Sequence, residues 1–278
     1  MSTYEKYSFL MSVYDKESPE NLYKSIESML CQSIMPDQIV IVEDGVINSK
    51  LQEIIYFFSK KEDIFTIVKL EKNVGLGKAL DIGLTYCRND LVARMDSDDI
   101  SVSDRCEKQL SIFRDSQDMS IISGNVNEFI GNPENIVSSR IVPEKQEDIV
   151  KRMRTRSAFN HPAVMYRKSE VLRCGGYGTL KRKQDHDLFS RMMNSGCKAY
   201  NIQDPILLFR ADDNNLMRRK SWINCSSYII AQWHILCRGH CFLRDFIFVL
   251  LAQLFFFLAP TQSVRYISDK YLRKHDLQ

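Results

Sequence analysis

Short apolar runs alternate with stretches of helical periodicity through the first 120 residues, and few folds accept that rhythm. Tyr7–Tyr14, Gln38–Val42, Phe65–Leu70, Leu91–Met95 and Met119–Ser123 read as strands. Ser18-Pro19-Glu20 opens a helix with proline at its first position, and Leu22, Ile26, Met29 and Leu30 line one face of it. Further helices are expected over Leu51–Phe58, from the Asn73-Val74-Gly75-Leu76-Gly77-Lys78 turn to Cys87, and from Ser103 to Arg114. Continuous apolar strands separated by amphipathic helices predict an α/β fold, a mostly parallel central sheet with helices on both faces.

Such sheets hold ligands beyond the carboxyl ends of their strands. Three expected strands end in polar residues: Ser12 and Tyr14, Glu43-Asp44-Gly45, and Asp96-Ser97-Asp98-Asp99. They are expected to converge on one edge. The last cluster, a DxD sequence, carries the sharpest chemistry. Carboxylates held close together where a strand stops repel one another unless a cation joins them. Oxygen ligands alone suit Mg²⁺ or Mn²⁺ rather than zinc, and a diphosphate completes such a site. The competing reading is a solvated acidic loop that caps the next helix.

Beyond residue 120 the rhythm changes. Asn125–Val142 reads as a hairpin turning at Gly131-Asn132-Pro133, and Glu144–Arg154 as a charged helix. A strand and helix follow over Pro162–Cys174, then Gly175-Gly176-Tyr177, then a helix from Asp185 to Asn194. Ile206–Arg210 closes the globular body, and from Leu216 the chain reads as successive helices.

The net charge of +3 gives no support to wholesale nucleic-acid binding, but its distribution is uneven. Residues 214–278 hold nine Lys/Arg against three acids, which leaves the preceding body mildly acidic. The basic tail surrounds FIFVLLAQLFFFL (246–258), the longest apolar run. It falls short of the ~20 residues that span a bilayer, so it reads as a core helix or as a helix lying in a membrane interface. Flanking arginines and the excess of phenylalanine favour the interface. The N-terminus has no signal-peptide pattern. The eight cysteines form no CxxC pair. Cys237 and Cys241 beside His234 and His240 fit one helix face, but no second ligand pair follows, and the cysteines read as free, mostly buried thiols in a reducing compartment.

Two nucleotide motifs are excluded. The segment NVGLGK lacks the spacing of a Walker loop, and Gly75 and Gly77 do not continue into GxGxxG. Its glycines still permit close backbone approach, and Lys78 stands at a helix start, where anions bind.

Seven segments in order, MSVY (11–14), VEDG (42–45), NVGLGKALDIGL (73–84), ARMDSDDI (93–100), HPAVMYRK (161–168), GGY (175–177) and QDHDLFSRM (184–192), resemble the family 2 glycosyltransferases of the Rossmann-like GT-A fold. The resemblance covers about residues 7–212. Within the family it is to bacterial enzymes that build O-antigen or capsule repeat units on a lipid carrier. It implies a catalytic domain over 1–213, with a nucleotide-sugar-binding half (1–120) and an acceptor-binding half (121–213). An amphipathic helical extension over 214–278 would attach it to the cytoplasmic face of the inner membrane.

The resemblance also implies roles. Ser12, Tyr14 and Asp44 would line the nucleoside pocket, with Asp44 reading the uracil. Lys78 would sit near the base or phosphate, and Asp96, with Ser97 beside it, on the ribose side of the donor. Asp98 would hold Mn²⁺ or Mg²⁺, supported by Asp99. Asp185 would be the general base, and Gly176, Tyr177 and His161 would shape the acceptor side. The family's Glu-Asp pair is Gln184-Asp185 here, a departure. Asp187 would face away from Asp185 and cap or pair with Arg191. Where relatives often place a metal-proximal His after an Arg, this chain has Arg210-Ala211-Asp212-Asp213, so either one of these carboxylates substitutes or Asp98 is the whole protein ligand set.

The expected activity is an inverting, metal-dependent transfer of glucose or galactose from a UDP-sugar to an undecaprenyl-diphosphate-linked sugar, with a β-1,3 linkage to GlcNAc as one case. Two rivals remain. A sugar nucleotidyltransferase also uses a strand-end carboxylate pair and metal, but no Gly-rich N-terminal loop with a following Arg/Lys is present. A non-catalytic, membrane-attached assembly factor would keep the fold and not need Asp185.

Overall fold

The computed structural model describes residues 4–211 and 220–260. One nine-stranded sheet runs in the order β3-β2-β1-β4-β8-β6-β9-β5, with β7 pairing onto β6. Its first half is parallel: β1 (Tyr7–Val13) lies between β2 (Gln38–Glu43) and β4 (Leu91–Asp96), and β3 (Phe65–Lys69) sits at the edge. Beyond β4 the sheet is mixed. β8 (Met165–Arg167) runs antiparallel to both β4 and β6 (Met119–Phe129), and β6 runs parallel to β9 (Lys198–Arg210).

Side chains alternate across the parallel strands, as a pleat requires. Phe9, Met11, Ile39 and Ile41 pack beneath α1 (Pro19–Leu30), α2 (Ser49–Lys61) and α4 (Arg105–Asp115). Leu10, Val40 and Val42 face the other way, with α3 (Leu76–Tyr86), α5 (Gln146–Met153) and α7 (Gln184–Asn194). Both faces are therefore covered. Each of these fully buried aliphatic or aromatic side chains contributes roughly 1.5–3 kcal/mol.

The expected hairpin is β6 and β7 (Ile136–Arg140), and the expected strand–helix passage is a 3₁₀ turn (His161–Ala163), β8 and α6 (Lys168–Arg173). Two strands exceed expectation. β9 begins at Lys198 because its ladder with β6 tolerates register shifts around polar Gln203-Asp204-Pro205, which hides the strand from an apolar pattern. The two-residue β5 (Ile100–Ser101) is too short to leave one.

After residue 219, α8 (Trp222–Cys237) and α9 (Leu243–Leu258) form a hairpin. α8 docks on the body: Tyr228 donates to Thr155 O (2.8 Å) and Gln232 to Arg154 O (2.6 Å). α9 buries only Val249 and leaves Leu243, Phe248, Leu251 and Leu258 well exposed, so it is not a core helix. Among the described residues, no helix is long and apolar enough to cross a membrane. The cysteines there are all unbridged, most of them buried. Asp212, Asp213 and the expected boundary at residue 213 lie outside the described residues.

Candidate active site

Pairing register assembles the strand ends. Ser12 on β1 stands opposite Asp96 on β4 and Val42 on β2, so Ser12, Glu43 and Asp96 share one edge. The chain leaves β4 through Asp96-Ser97-Asp98-Asp99, and carboxylate oxygens of Asp96, Asp98 and Asp99 all lie within 4.8 Å of one another. Burial, with the charges of Asp96 and Glu17, pushes the Asp98 carboxyl up to about 7. Burial and the neighbouring Asp98 and Asp96 raise Asp99 well above the carboxylate range. Asp99 accepts the backbone N–H of Arg210 through Oδ1 (2.8 Å), while its buried Oδ2 has no partner. Three converging carboxylates, one with an orphaned oxygen, fit a hard divalent cation. Asp96 is already engaged by Arg94, which leaves Asp98 and Asp99 as the carboxylates that could hold it.

Groups that the sequence did not mark hold this cluster. Arg94, only 1% exposed in the middle of β4, donates to Asp96 and fixes a positive charge beneath it. Buried Arg105 supports Arg94 from below by donating to its carbonyl (2.8 Å). Glu17 accepts from Ser97 Oγ (2.5 Å) and from the backbone N–H of Ser18 (2.8 Å). A cation inside an apolar strand is a signal for Arg94; Glu17 pairs across 80 residues and leaves none.

Asp44 is buried and spends both oxygens on the following loop, accepting from Val74 N (2.7 Å) and Gly75 N (3.1 Å). It therefore shapes the start of α3 as well as facing the edge. Tyr14 is exposed beside it, and Lys78 is exposed on the first turn of α3.

The second half of the site comes from α7 and the loop before it. A Cβ on Gly77 would sit 3.1 Å from both Gln184 Cγ and Gly178 O, so this glycine lets the starts of α3 and α7 meet. Gly176 has φ +65°, and a Cβ there would strike Asp81 Oδ1 at 2.6 Å. That carboxylate accepts the Tyr177 N–H at 2.6 Å, another contact the sequence did not reveal. Tyr177 is buried, and its hydroxyl shares a 2.9 Å hydrogen bond with His161 Nε2. Burial, reinforced by Arg94, pushes His161 down to about 3, so the ring is neutral.

Asp185 is half-buried at the second position of α7. Burial opposes its charge, but the basic groups around it, Lys183 among them, and the backbone N–H of His186 outweigh that and hold the carboxyl below its usual range. It is thus ionised at neutral pH. Lys183 caps this helix in the left-handed region (φ 64°), the one positive-φ residue other than glycine among those described. Asp187 points elsewhere, as expected, and meets Arg191 at 3.1 Å.

The site thus places a carboxylate cluster for a cation on the strand side and an ionised carboxylate across from it on a helix. The glycosyl transferase family 2 model matches residues 8–189, from β1 through α7. The chain belongs to that family. It is a glycosyltransferase of the GT-A fold. It is 36% identical over 269 residues to an Escherichia coli UDP-Gal:α-D-GlcNAc-diphosphoundecaprenol β-1,3-galactosyltransferase, covering 97% of each chain. It is 35% identical over 216 residues to the amylovoran biosynthesis glycosyltransferase AmsE of Erwinia amylovora, covering 78% of this chain and 80% of that one. The fold matches that of the mannosyltransferase PcManGT from Pyrobaculum calidifontis, solved with GDP-Man and Mn²⁺, with a TM-score of 0.64 and 14% identity over 96% of this chain and 75% of the other.

Proposed function

We propose that this glycosyltransferase moves a hexose, galactose or glucose, from a UDP-sugar to an undecaprenyl-diphosphate-linked sugar, with inversion, in O-antigen or related polysaccharide assembly. A β-1,3 bond to GlcNAc is the leading case. The observation that carries the reading is the near-full-length likeness to the E. coli galactosyltransferase, which runs through the C-terminal helices as well as the site.

The residues support a single displacement. Asp185, ionised and close to neutral His161, takes the proton of the acceptor hydroxyl as its oxygen attacks the anomeric carbon. The bond to the nucleotide diphosphate breaks on the opposite face, so an α-linked donor gives a β-product. Asp98, supported by Asp99, would hold Mn²⁺ or Mg²⁺, which supplies positive charge to the departing diphosphate. Ser12, Tyr14, Asp44 and Lys78 line the donor edge with Asp96 and Ser97. Gly176, Tyr177 and His161 form the acceptor wall. The exposed apolar face of α9 would rest in the inner-membrane interface and hold the protein peripherally beside its lipid-borne acceptor.

Transfer from UDP-galactose and UDP-glucose to a synthetic GlcNAc-diphosphate-lipid, with Mn²⁺, Mg²⁺ or chelator, tests the reading. Metal-dependent formation of a β-linked disaccharide is expected. Absence of any UDP-sugar turnover with metal present would sink it.

A further inference from the structure

Asp187 is only 4% exposed, lies two residues from Asp185, and belongs to neither half of the site. Its carboxylate joins two arginines from different elements. Oδ2 accepts Arg191 Nε at 3.1 Å, and Oδ1 accepts Arg238 Nη1 at 2.6 Å. Arg238 is the C-cap of α8, the first helix of the apolar hairpin. His234, one turn earlier, brings Nδ1 to 4.0 Å from the same oxygen. A second contact follows one turn along α7, where Ser190 Oγ and His240 Nδ1 are 3.4 Å apart.

Arg191 continues the connection inward. It donates to Cys174 O and, through Nη2, to Gly176 O at 2.7 Å. It therefore clamps the loop whose next residue, Tyr177, is bonded to His161. A continuous series of charge-assisted hydrogen bonds thus leads from the end of α8, through α7, to the acceptor wall. Such bonds fix orientation as well as adding energy. Two further hairpin anchors, Tyr228 and Gln232, donate to backbone carbonyls next to α5, and the Tyr228 ring also lies 5.7 Å from the His186 ring and 4.7 Å from Lys183 Nζ at the start of α7.

We infer that Asp187 and Arg238 are positioning residues: they lock the membrane-facing hairpin to the helix that carries Asp185, so that seating of the hairpin sets the base against the acceptor. The inference rests on the reading of Asp185 as the base. It assigns Arg238 no contact with substrate; its effect on turnover passes through α7.

Arg238 is about one-third exposed, so replacing it leaves the core filled. The experiment uses the full chain with a short-chain GlcNAc-diphosphate-lipid acceptor and measures kcat, both KM values and UDP binding by calorimetry. Arg238→Gln should lower kcat by roughly 10- to 100-fold, the usual consequence of misplacing a reacting group by up to an ångström, with donor KM and UDP affinity unchanged. Arg238→Lys should recover part of the loss. In an Asp185→Asn background, Arg238→Gln should cost nothing further, because residues acting through one group are non-additive. Unchanged kcat in Arg238→Gln, a loss of UDP binding that tracks the loss of turnover, or a full additional loss in the Asp185→Asn background would each overturn the coupling. Full activity in Asp185→Asn alone would remove the base reading and the coupling with it, a result separable from failure of Arg238 alone.

Discussion

Asp-X-Asp occurs twice in the site, as Asp96-Ser97-Asp98 at the end of β4 and as Asp185-His186-Asp187 in the first turn of α7, and the two behave as opposites. At the strand end the backbone turns, and Asp96, Asp98 and Asp99 bring oxygens within 4.8 Å of one another. In the helix, positions two apart point to different sides. Asp185 remains half-exposed toward the site, whereas Asp187 is buried between Arg191 and Arg238. Electrostatics follow the geometry. Burial and mutual repulsion raise Asp98 and Asp99, while nearby basic groups, against burial, lower Asp185. The same three-letter pattern thus yields a three-carboxylate cluster in one place and, in the other, an ionised carboxylate beside a buried ion pair.

The sharpest way to break this contrast is Asp185→Asn. It should lower kcat by at least ~10²-fold, the worth of a general base, and leave UDP and Mn²⁺ binding intact. Retained turnover would take Asp185 out of the base role. Asp187→Ala, on the same turn, should lower kcat as Arg238→Gln does and should also weaken folding. Two arginines would lose their shared partner, at a cost of about 2 kcal/mol in chemical denaturation, the usual worth of a hydrogen bond to a charged group, since both arginines keep access to water. A stability equal to wild type would mean that Asp187 is not the joint its contacts describe.

Much of this arrangement was legible beforehand, and for identifiable reasons. Strands β1, β2 and β4 and the helices between them announce themselves because each buries an apolar face, and edge strand β3, which buries only Val68, still carries an apolar run. The carboxylate edge follows from where those runs stop, and the pairing of Asp187 with Arg191 follows from helical spacing. What escaped reading depends on distant partners. Arg94 looks like an interruption of a strand until Asp96 is found above it, and Asp81 is an unremarked helix residue until the Gly176 turn lands on it. The insertion of β8 between β4 and β6 is a matter of topology, and no local pattern encodes it.

The acidic cluster itself makes a pH-dependent prediction. Asp98 has a folded-state pKa raised to about 7 from 3.8. Its neutral form is thus the one that the metal-free fold favours. That contribution is fully present below the unfolded pKa and is lost as pH rises from about 4 through 7. Asp98→Asn, which cannot ionise, should therefore gain Tm relative to metal-free wild type between pH 5 and pH 8. Mn²⁺ should raise the wild-type Tm most at the higher pH and should not stabilise the variant comparably. A Tm difference flat with pH, or an unchanged Mn²⁺ requirement for turnover, would take Asp98 out of the cation site. The helix pair predicts the reverse sign: Asp185, whose folded pKa is lowered, stabilises the fold above the unfolded value and loses that contribution only in acid.

The smallest expected effect separates the two faces of α9. Val249 is buried against the hairpin, whereas Leu251, two residues on, is 61% exposed. If the outer face enters a membrane interface, Leu251→Ser removes an apolar side chain from lipid, on the order of 1 to 2 kcal/mol, and lowers the partition constant onto anionic vesicles about tenfold. Its unfolding free energy should stay within about 0.5 kcal/mol of wild type, as for other exposed sites. Val249→Ser should do the opposite, costing stability by opening the α8–α9 contact while changing the lipid-facing surface little. Vesicle sedimentation and denaturant titration on the two variants read both quantities. Equal partitioning of Leu251→Ser and wild type would mean that the exposed leucines and phenylalanines of α9 do not meet lipid.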